Sequence, residues 1–182
     1  VRGLSKKFLD DRVIGAVIVD DQMEILLATA HGKVNRFSAD LIRDMSRGAI
    51  GVIGIRLKGG DEVINLMAVQ DPEAEEVLVV TSRGFGKRST VSEYRKTNRG
   101  SGGVCGVKIS KDRGHVIAVL LIKEDDDLLL VTRSGKSIRI PAAQIRSMSR
   151  RTMGFRLCKL VGDDSIAVAV RVPKESGEDE ES

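Results

Sequence analysis

Arginine and lysine recur at a fixed spacing in this sequence, and they are the side chains best suited to bind a partner. The most basic stretch runs from Thr81 to Val107, where glycines and hydroxyl residues disfavour a long helix. Guanidinium and ammonium groups bind phosphate oxygens, and glycine-rich loops let backbone N–H groups approach a phosphate closely. The stretch therefore predicts a contact surface for a polyanion.

The same cations return in the neighbouring segments. Thr29, Thr81 and Thr132 each open a turn that ends in glycine, and 52 and then 51 residues separate them. Three arginine positions recur with these offsets, and a periodic architecture projects equivalent positions in equivalent directions. The first trio is Arg36, Arg88 and Arg139; the second is Arg43, Arg95 and Arg146; the third is Arg47, Arg99 and Arg150. We expect the trios to form belts around one surface.

The phosphate backbone of a nucleic acid is the partner that these belts favour. Only 3 % of the residues are aromatic and Trp is absent, so the chain has few side chains on which nucleic-acid bases could stack. Binding to a nucleic acid should therefore be mainly electrostatic. A merely solvated charged face is the alternative, although ordinary surfaces mix both signs of charge. The predicted DNA-binding residues are Lys33, Arg36, Arg43, Arg47, Arg83, Lys87, Arg88, Arg95, Lys96, Arg99, Arg133, Lys136, Arg139, Arg146, Arg150 and Arg151.

The sequence offers little for catalysis or metal binding. No glycine-rich loop is followed by Lys and Ser/Thr at the spacing that nucleoside triphosphates require. The acidic run from Glu124 to Asp127 could hold Mg²⁺, but its place between repeats favours a solvated turn. Tyr94 has no acid or base partner in the sequence, which favours a packing role. Cys105 and Cys158 lie in apolar runs and are predicted to be buried thiols. We predict no catalytic residue, metal or cofactor in this chain.

Short apolar runs and glycine turns give each repeat four predicted strands, and the fold class is therefore all-β. In the first full repeat the strands are Ile25 to Thr29, Lys33 to Phe37, Gly51 to Leu57 and Val63 to Val69, and the first two form a hairpin that the other repeats share. The equivalent third strands are Gly103 to Ile109 and Gly154 to Leu160, and the equivalent fourth strands are Val116 to Ile122 and Ile166 to Val172. A period near 50 residues with four strands per unit indicates propeller-like blades of antiparallel strands. The predicted blades are residues 23–71, 72–124 and 125–173, about three blades plus a fraction.

The two ends of the chain differ from the repeats. Val1-Arg2-Gly3-Leu4 resembles Val52 to Ile55, so residues 1–22 are predicted to be the end of a truncated preceding blade. Residues 174–182 form an acidic tail predicted to be disordered. The formal charge is +4, and the segment from Pro173 carries −4 of it, which leaves +8 on the body. The tail could compete with DNA for the belts or only aid solubility. Apolar runs are too short for a membrane span, which favours the cytoplasm.

The segment from Gly84 to Arg95, Gly-Phe-Gly-Lys-Arg-Ser-Thr-Val-Ser-Glu-Tyr-Arg, resembles the C-terminal domain family of DNA gyrase A. The similarity extends over Arg47 to Leu57, Gly60 to Val63, and Arg150 to Leu160, and covers nearly the whole chain. The resemblance implies a β-pinwheel, a propeller variant usually of six blades whose strands are exchanged between neighbours. The family's Gln-Arg-Arg-Gly-Gly-Lys-Gly box is absent, and the run from Asn98 to Gly103 is only weakly similar to it.

The resemblance also implies a function. Family members wrap DNA around a basic rim, which supports ATP-dependent negative supercoiling by a type IIA topoisomerase in the bacterial cytoplasm, at the nucleoid. Gyrase B, a second gyrase A protein, ATP and Mg²⁺ are the implied partners and cofactors of the parent enzyme, while this piece is non-catalytic. The related domain of topoisomerase IV is the nearest alternative. A propeller that serves as a protein-interaction module, or an independent enzyme, are further alternatives.

Overall fold

The computed structural model describes residues 11–46 and 48–174, and its regular structure is almost entirely β. Eleven strands are present in these ranges, together with short 3-10 turns at Ala39–Leu41, Val91–Glu93, Lys111–Arg113 and Ala142–Gln144. The strands are β1 Glu24–Thr29, β2 Lys33–Ser38, β3 Val63–Val69, β4 Glu76–Thr81, β5 Phe85–Thr90, β6 Val104–Cys105, β7 Val116–Ile122, β8 Asp127–Thr132, β9 Ser137–Pro141, β10 Phe155–Arg156 and β11 Ile166–Val172. The all-β prediction is confirmed.

Each repeat opens with a hairpin whose turn follows from one threonine and one glycine. The N–H of Gly32 donates to the carbonyl of Thr29 at 2.9 Å, and the hydroxyl of Thr29 accepts from the N–H of Lys33 at 3.1 Å. Gly32 has a φ of +76°, in the left-handed region that side chains with a Cβ rarely adopt. The turns at Gly84 and Gly135 repeat this geometry, so the predicted hairpins β1–β2, β4–β5 and β8–β9 are all present.

The sheets do not coincide with the repeats. Sheet 1 has the strand order β3-β1-β2-β6, sheet 2 has β10-β5-β4-β7, and sheet 3 has β11-β8-β9. Strand β6 comes from the second repeat yet pairs antiparallel with β2 of the first, where Lys33 opposes Cys105. Strand β10 likewise pairs with β5 of the repeat before it. The third strand of a repeat therefore completes the preceding sheet, as the resemblance implied.

The predicted third strands are the part of the sequence interpretation that the structure corrects. Gly103 to Ile109 and Gly154 to Leu160 each contain only a two-residue strand, and Gly51 to Leu57 contains none. Glycines interrupt these runs, which lowers their strand propensity, so they pair only where a neighbouring sheet offers an edge. Residues 11–19 also contain no strand, although Val13 to Val17 matched β3 in sequence. The Val1 to Leu4 match and residues 175–182 of the tail lie outside the described residues.

The core lies between successive sheets. Side chains alternate across a strand, and β4 uses both of its faces. Val77 and Val79 pack in one cluster with Leu26 and Val34 of sheet 1. The intervening side chains of β4 belong to a second cluster that includes Leu128 of sheet 3. Sheet 2 is thus covered by neighbours on both faces, while the outer face of each terminal sheet lacks such a neighbour among the described residues.

Candidate nucleic-acid interface

Two members of the first arginine trio lie inside the protein. The guanidinium of Arg36 pairs with Glu24 and donates to the carbonyls of Val91 and Tyr94 at 3.2 and 3.1 Å. It comes from strand β2 and reaches the 3-10 turn of the next repeat, and the residue is 9 % exposed. A guanidinium enclosed by a carboxylate and two carbonyls has no surface left for a phosphate. Its predicted role in DNA binding is therefore replaced by a structural one.

Arg88 repeats this arrangement one sheet further along. It pairs with Glu76 at 2.8 Å and donates to the carbonyl of Ile145 at 2.7 Å. Only 7 % of the residue is exposed. Ile145 stands in the third repeat at the place that Tyr94 occupies in the second. Arg88 therefore joins sheet 2 to the third repeat and, like Arg36, is not placed to contact DNA.

Lys87 is also buried, contrary to its predicted place among the DNA contacts. Its Nζ donates to the carbonyl of Ser149 at 2.7 Å, and the residue is 0 % exposed. Burial penalises the charged form and lowers the pKa of Lys87 from 10.5 to about 8. The sequence interpretation grouped Lys87 with the solvent-facing cations of the basic stretch, but β10 and the loop before it cover this part of β5.

The third member of the first trio is exposed. Arg139 pairs with Asp127 at 2.6 Å, and 66 % of its side chain remains accessible to solvent. Asp127 aligns with Glu24 and Glu76, so the ion pair itself recurs in all three repeats. What differs is the neighbour, because the described residues contain no further repeat to supply carbonyls to Arg139.

The third trio connects adjacent repeats. Arg99 donates to the carbonyls of Leu41 and Ile53 at 3.0 and 2.8 Å, both in the first repeat. Arg150 donates to the equivalent carbonyls of Glu93 and Cys105 at 2.8 and 2.6 Å. Both arginines are half-buried and face backbone oxygens. Arg47, the remaining member, lies outside the described residues.

The second trio is the one that faces solvent. Arg43, Arg95 and Arg146 are all exposed, in the loops that follow the 3-10 turns. Within residues 11–46 and 48–174, none of the ion pairs involves these three arginines. Lys96, next to Arg95, is exposed but pairs with Glu24 at 3.1 Å. The second trio therefore offers three uncompensated charges at equivalent places.

A fourth trio, which the sequence interpretation missed, accompanies the second. Arg56, Lys108 and Lys159 are exposed cations separated by the same 52 and 51 residues. The signal was available, since the runs that contain them were aligned as third strands. It was missed because two of the three are lysines, whereas the recurrent pattern was defined by arginine. In the described structure Lys108 and Lys159 lie shortly after the exchanged strands β6 and β10, and Arg56 lies in the equivalent segment of the first repeat, which forms no strand.

The second and fourth trios meet at the junction between the second and third repeats. Arg95, Lys108 and Arg151 line one open hollow together with Arg150, above the partly buried Val104 and Cys105. Four cations around one concavity repel one another and favour an anion between them. The hollow has the composition of a phosphate-binding surface.

The remaining predicted cations lie elsewhere on the surface. Lys33, Arg83, Arg133 and Lys136 are exposed at or beside the hairpin turns. Arg83 and Arg133 line a hollow that also contains Glu62 and Asp163. The carboxylates in this second hollow offset its positive charge, so it is less suited to an anion than the first.

The chemical groups considered for other roles are accounted for by packing. Tyr94 is 0 % exposed in the core, which confirms the packing prediction, and burial raises the pKa of its phenol well above the usual range. Cys105 and Cys158 are free thiols, partly rather than fully buried.

The acidic run from Glu124 to Asp127 is not wholly a solvated turn. Asp126 is 2 % exposed, and its carboxylate accepts from the N–H of Lys123 at 2.6 Å and pairs with Arg171. The helices in the described ranges lack the length and apolarity that a membrane crossing needs.

Comparison with known proteins agrees with this architecture. A family model described as DNA gyrase C-terminal domain, beta-propeller, matches residues 24–70, 75–123 and 126–173. Each matched segment contains one of the three hairpins. The three matches follow the sequence period, although the sheets themselves cross these limits.

Curated relatives include the DNA gyrase A protein of Staphylococcus aureus strain NCTC 8325, which is 39 % identical over 171 residues. The gyrase A protein of strain MRSA252 is 36 % identical over 172 residues. Each alignment covers 94 % of this chain but 19 % of the relative. The chain thus spans about a fifth of the length of the curated relatives that it matches.

Solved structures show the same fold. A DNA gyrase A C-terminal domain superposes with a TM-score of 0.76 at 26 % identity, covering 85 % of this chain and 52 % of that one. The C-terminal domain of a DNA topoisomerase IV superposes with a TM-score of 0.85 at 24 % identity, covering 93 % and 52 %. The resemblance drawn from Gly84 to Arg95 and the propeller-like fold are confirmed. The chain belongs to the family of DNA gyrase C-terminal domains, whose fold is a β-propeller.

Proposed function

We propose that this chain binds duplex DNA through its backbone phosphates, and that the second and fourth trios are the contact surface. The observation that carries the proposal is the hollow that Arg95 and Lys108 both line, because it joins the two exposed trios at one repeat junction. Lys96, Arg139 and Arg151 are further exposed candidates. Such contacts position a DNA backbone without reading its sequence.

Salt dependence tests the binding mode. Six phosphate contacts, one for each cation of the two trios, should reduce affinity by about 10³ between 50 and 200 mM salt. The measurement is fluorescence anisotropy of a labelled duplex of arbitrary sequence over that range. A slope near zero would contradict electrostatic binding. Equal affinity for two unrelated duplex sequences is the expected control result.

We further propose that the chain wraps DNA as part of a gyrase A protein. The relatives carry this name, and the repeated cations would extend one contact along successive sheets. Wrapping would support ATP-dependent negative supercoiling, with ATP and Mg²⁺ handled by gyrase B and the catalytic core, and with a second gyrase A protein in the complex. The enzyme would act in the bacterial cytoplasm at the nucleoid.

A nicked circular plasmid distinguishes wrapping from simple binding. Sealing the nick with ligase while the chain is bound should leave a linking-number shift after the protein is removed. Replacing all six cations of the two trios by alanine should abolish that shift. Binding without any shift would remove the wrapping proposal and leave binding intact.

A domain of topoisomerase IV is the second candidate, favoured by the TM-score of 0.85. The two enzymes differ in the reaction of the complete protein. A full-length protein that contains this chain should introduce negative supercoils if it is gyrase. Relaxation and decatenation alone would favour topoisomerase IV.

A further inference from the structure

The described residues contain two junctions at which an exchanged strand, β6 or β10, pairs with the sheet before it. At the first junction Lys33 of β2 opposes Cys105 of β6, and at the second Phe85 of β5 opposes Arg156 of β10. Directly opposite side chains of an antiparallel pair lie on one face, with Cβ atoms about 4.5–5.5 Å apart. Each pair therefore contains one cation. The sheet carries it at the first junction, and the exchanged strand carries it at the second.

The sequence period conceals this transfer of charge between strands. Phe85 takes the place that Lys33 and Lys136 have in the other two repeats, so the second repeat lacks a lysine there. Arg156 takes the place of Cys105, and a search for recurrent cations therefore misses it. Across the strand pair, however, the second junction keeps the positive charge that the first junction has. Lys33 and Arg156 are both exposed.

The aromatic ring of Phe85 holds the guanidinium of Arg156. The guanidinium carbon lies over the ring, 5.2 Å from its centroid, and the ring itself is half-buried. The negative face of an aromatic ring attracts a guanidinium. A side chain that is already restrained loses less freedom when it binds a ligand. Because the ring is neutral, Arg156 is restrained without losing its charge.

A second guanidinium lies over the same ring. Arg113 is 4.3 Å from the centroid of Phe85 and donates to the carbonyls of Met153 and Gly154 at 3.2 and 2.9 Å. These hydrogen bonds hold the segment before β10 against Phe85. In the part of the chain that the structure describes, no ion pair involves Arg113 or Arg156. Two like charges over one ring, without a carboxylate, favour an anion beside them.

We propose that Arg156 contacts a backbone phosphate of duplex DNA, and that Phe85 is the positioning residue that holds Arg156 for this contact. The inference rests on the proposed DNA binding and adds to it a contact that does not follow the repeat period. Arg156 occupies at the second junction the place that Lys33 holds at the first. Lys159 of the fourth trio follows in the same segment, so the new contact extends the surface already proposed.

The salt dependence of duplex affinity tests the contact of Arg156. Arg156→Ala should reduce the slope of log affinity against log salt by about 1, because one phosphate contact is lost. Lys123→Ala, which removes an exposed cation in the turn before β8, is the matched control and should leave the slope unchanged. Urea denaturation establishes that both variants are folded. An unchanged slope in Arg156→Ala would overturn this inference and leave the proposed DNA binding intact, whereas an unmodified chain that binds no duplex would overturn both.

A double-mutant cycle tests the positioning role of Phe85. Phe85→Leu keeps an apolar side chain but removes the ring, and it should weaken duplex affinity about 2- to 5-fold, the effect of one exposed cation–π contact. Phe85→Tyr keeps the ring and should bind like the unmodified chain. In the Arg156→Ala background, Phe85→Leu should reduce affinity no further, because the cation that it positions is gone. An equal loss in both backgrounds would overturn the positioning role.

Discussion

The guanidinium of Arg150 donates to the backbone carbonyl of Cys105 at 2.6 Å, and so ties the third repeat to the strand that the second repeat contributes to sheet 1. Arg99 makes the same contact with Ile53. Basic residues in this fold therefore have two roles. Some hold the repeats together through backbone oxygens, and others face solvent with their charge uncompensated.

Arg150 and Arg146 should separate these two roles. Arg150→Met removes two side-chain hydrogen bonds of one junction and should lower the free energy of unfolding by about 1.5–3 kcal/mol. Arg146→Met changes an exposed side chain, with an expected effect within about 0.5 kcal/mol, but it should weaken DNA binding. Urea denaturation and duplex anisotropy on both variants check this. The reverse pattern would contradict the assignment of the trios.

Arg36 and Arg139 occupy one repeat position with and without a covering neighbour. Arg36→Met leaves the buried Glu24 with Lys96 as its one remaining ion-pair partner and removes the donor to the carbonyls of Val91 and Tyr94, so it should cost about 3–5 kcal/mol. Arg139→Met breaks an exposed pair with Asp127 and should cost about 1 kcal/mol or less. Both are measured by urea denaturation at low protein concentration. Equal costs would show that burial does not govern this position.

Lys87 should make stability depend on alkaline pH. Its folded pKa of about 8 lies below the unfolded value of 10.5, so between these values the folded chain loses the proton first. The penalty for burying the charge is complete below pH 8 and disappears as the pH rises to 10.5. The unmodified chain should therefore gain up to about 3 kcal/mol over that range relative to Lys87→Met. Lys123→Met, at an exposed site, should show no such gain.

Gly84 and Gly135 test the contribution of junction packing. Both have a positive φ, +76° and +85°, so alanine at either site should cost about 1–2 kcal/mol of backbone strain. Gly84→Ala also forces a Cβ against Cys158, which should add about 1–3 kcal/mol. Chemical denaturation of the two variants gives the difference directly. If Gly135→Ala lowered the stability more than Gly84→Ala, the positive φ of the turn, rather than the contact with Cys158, would explain why glycine is needed at residue 84.

Arg95 and Lys108 should act together on DNA. Arg95→Ala with Lys108→Ala removes two phosphate contacts and should reduce the slope of log affinity against log salt by about 2. Urea denaturation should show a stability within about 0.5 kcal/mol of the unmodified chain, since both side chains are exposed. Arg83→Ala with Arg133→Ala, in the hollow that contains carboxylates, is the matched control and should change the slope less.

The repeat, the hairpins and the family can all be predicted from the sequence alone. Threonine and glycine at offsets of 52 and 51 residues mark turns whose geometry depends on local conformation, and the pattern of polar and apolar side chains from Lys33 to Phe37 marks β2. These features are local, so a pattern along the chain is enough to predict them. The boundaries of β3, β7 and β11 were predicted to the residue for the same reason.

Which of the cations face solvent depends on contacts between repeats, which the sequence pattern does not reveal. Arg36, Arg88 and Arg139 are indistinguishable by repeat position, yet two are buried and one is exposed, because burial depends on whether a following repeat covers the guanidinium with its backbone carbonyls. The exchange of β6 and β10 between sheets has the same origin, since their pairing partners lie in another repeat. Periodicity specifies that positions are equivalent, whereas contacts between repeats decide whether a charge faces a carbonyl or the solvent.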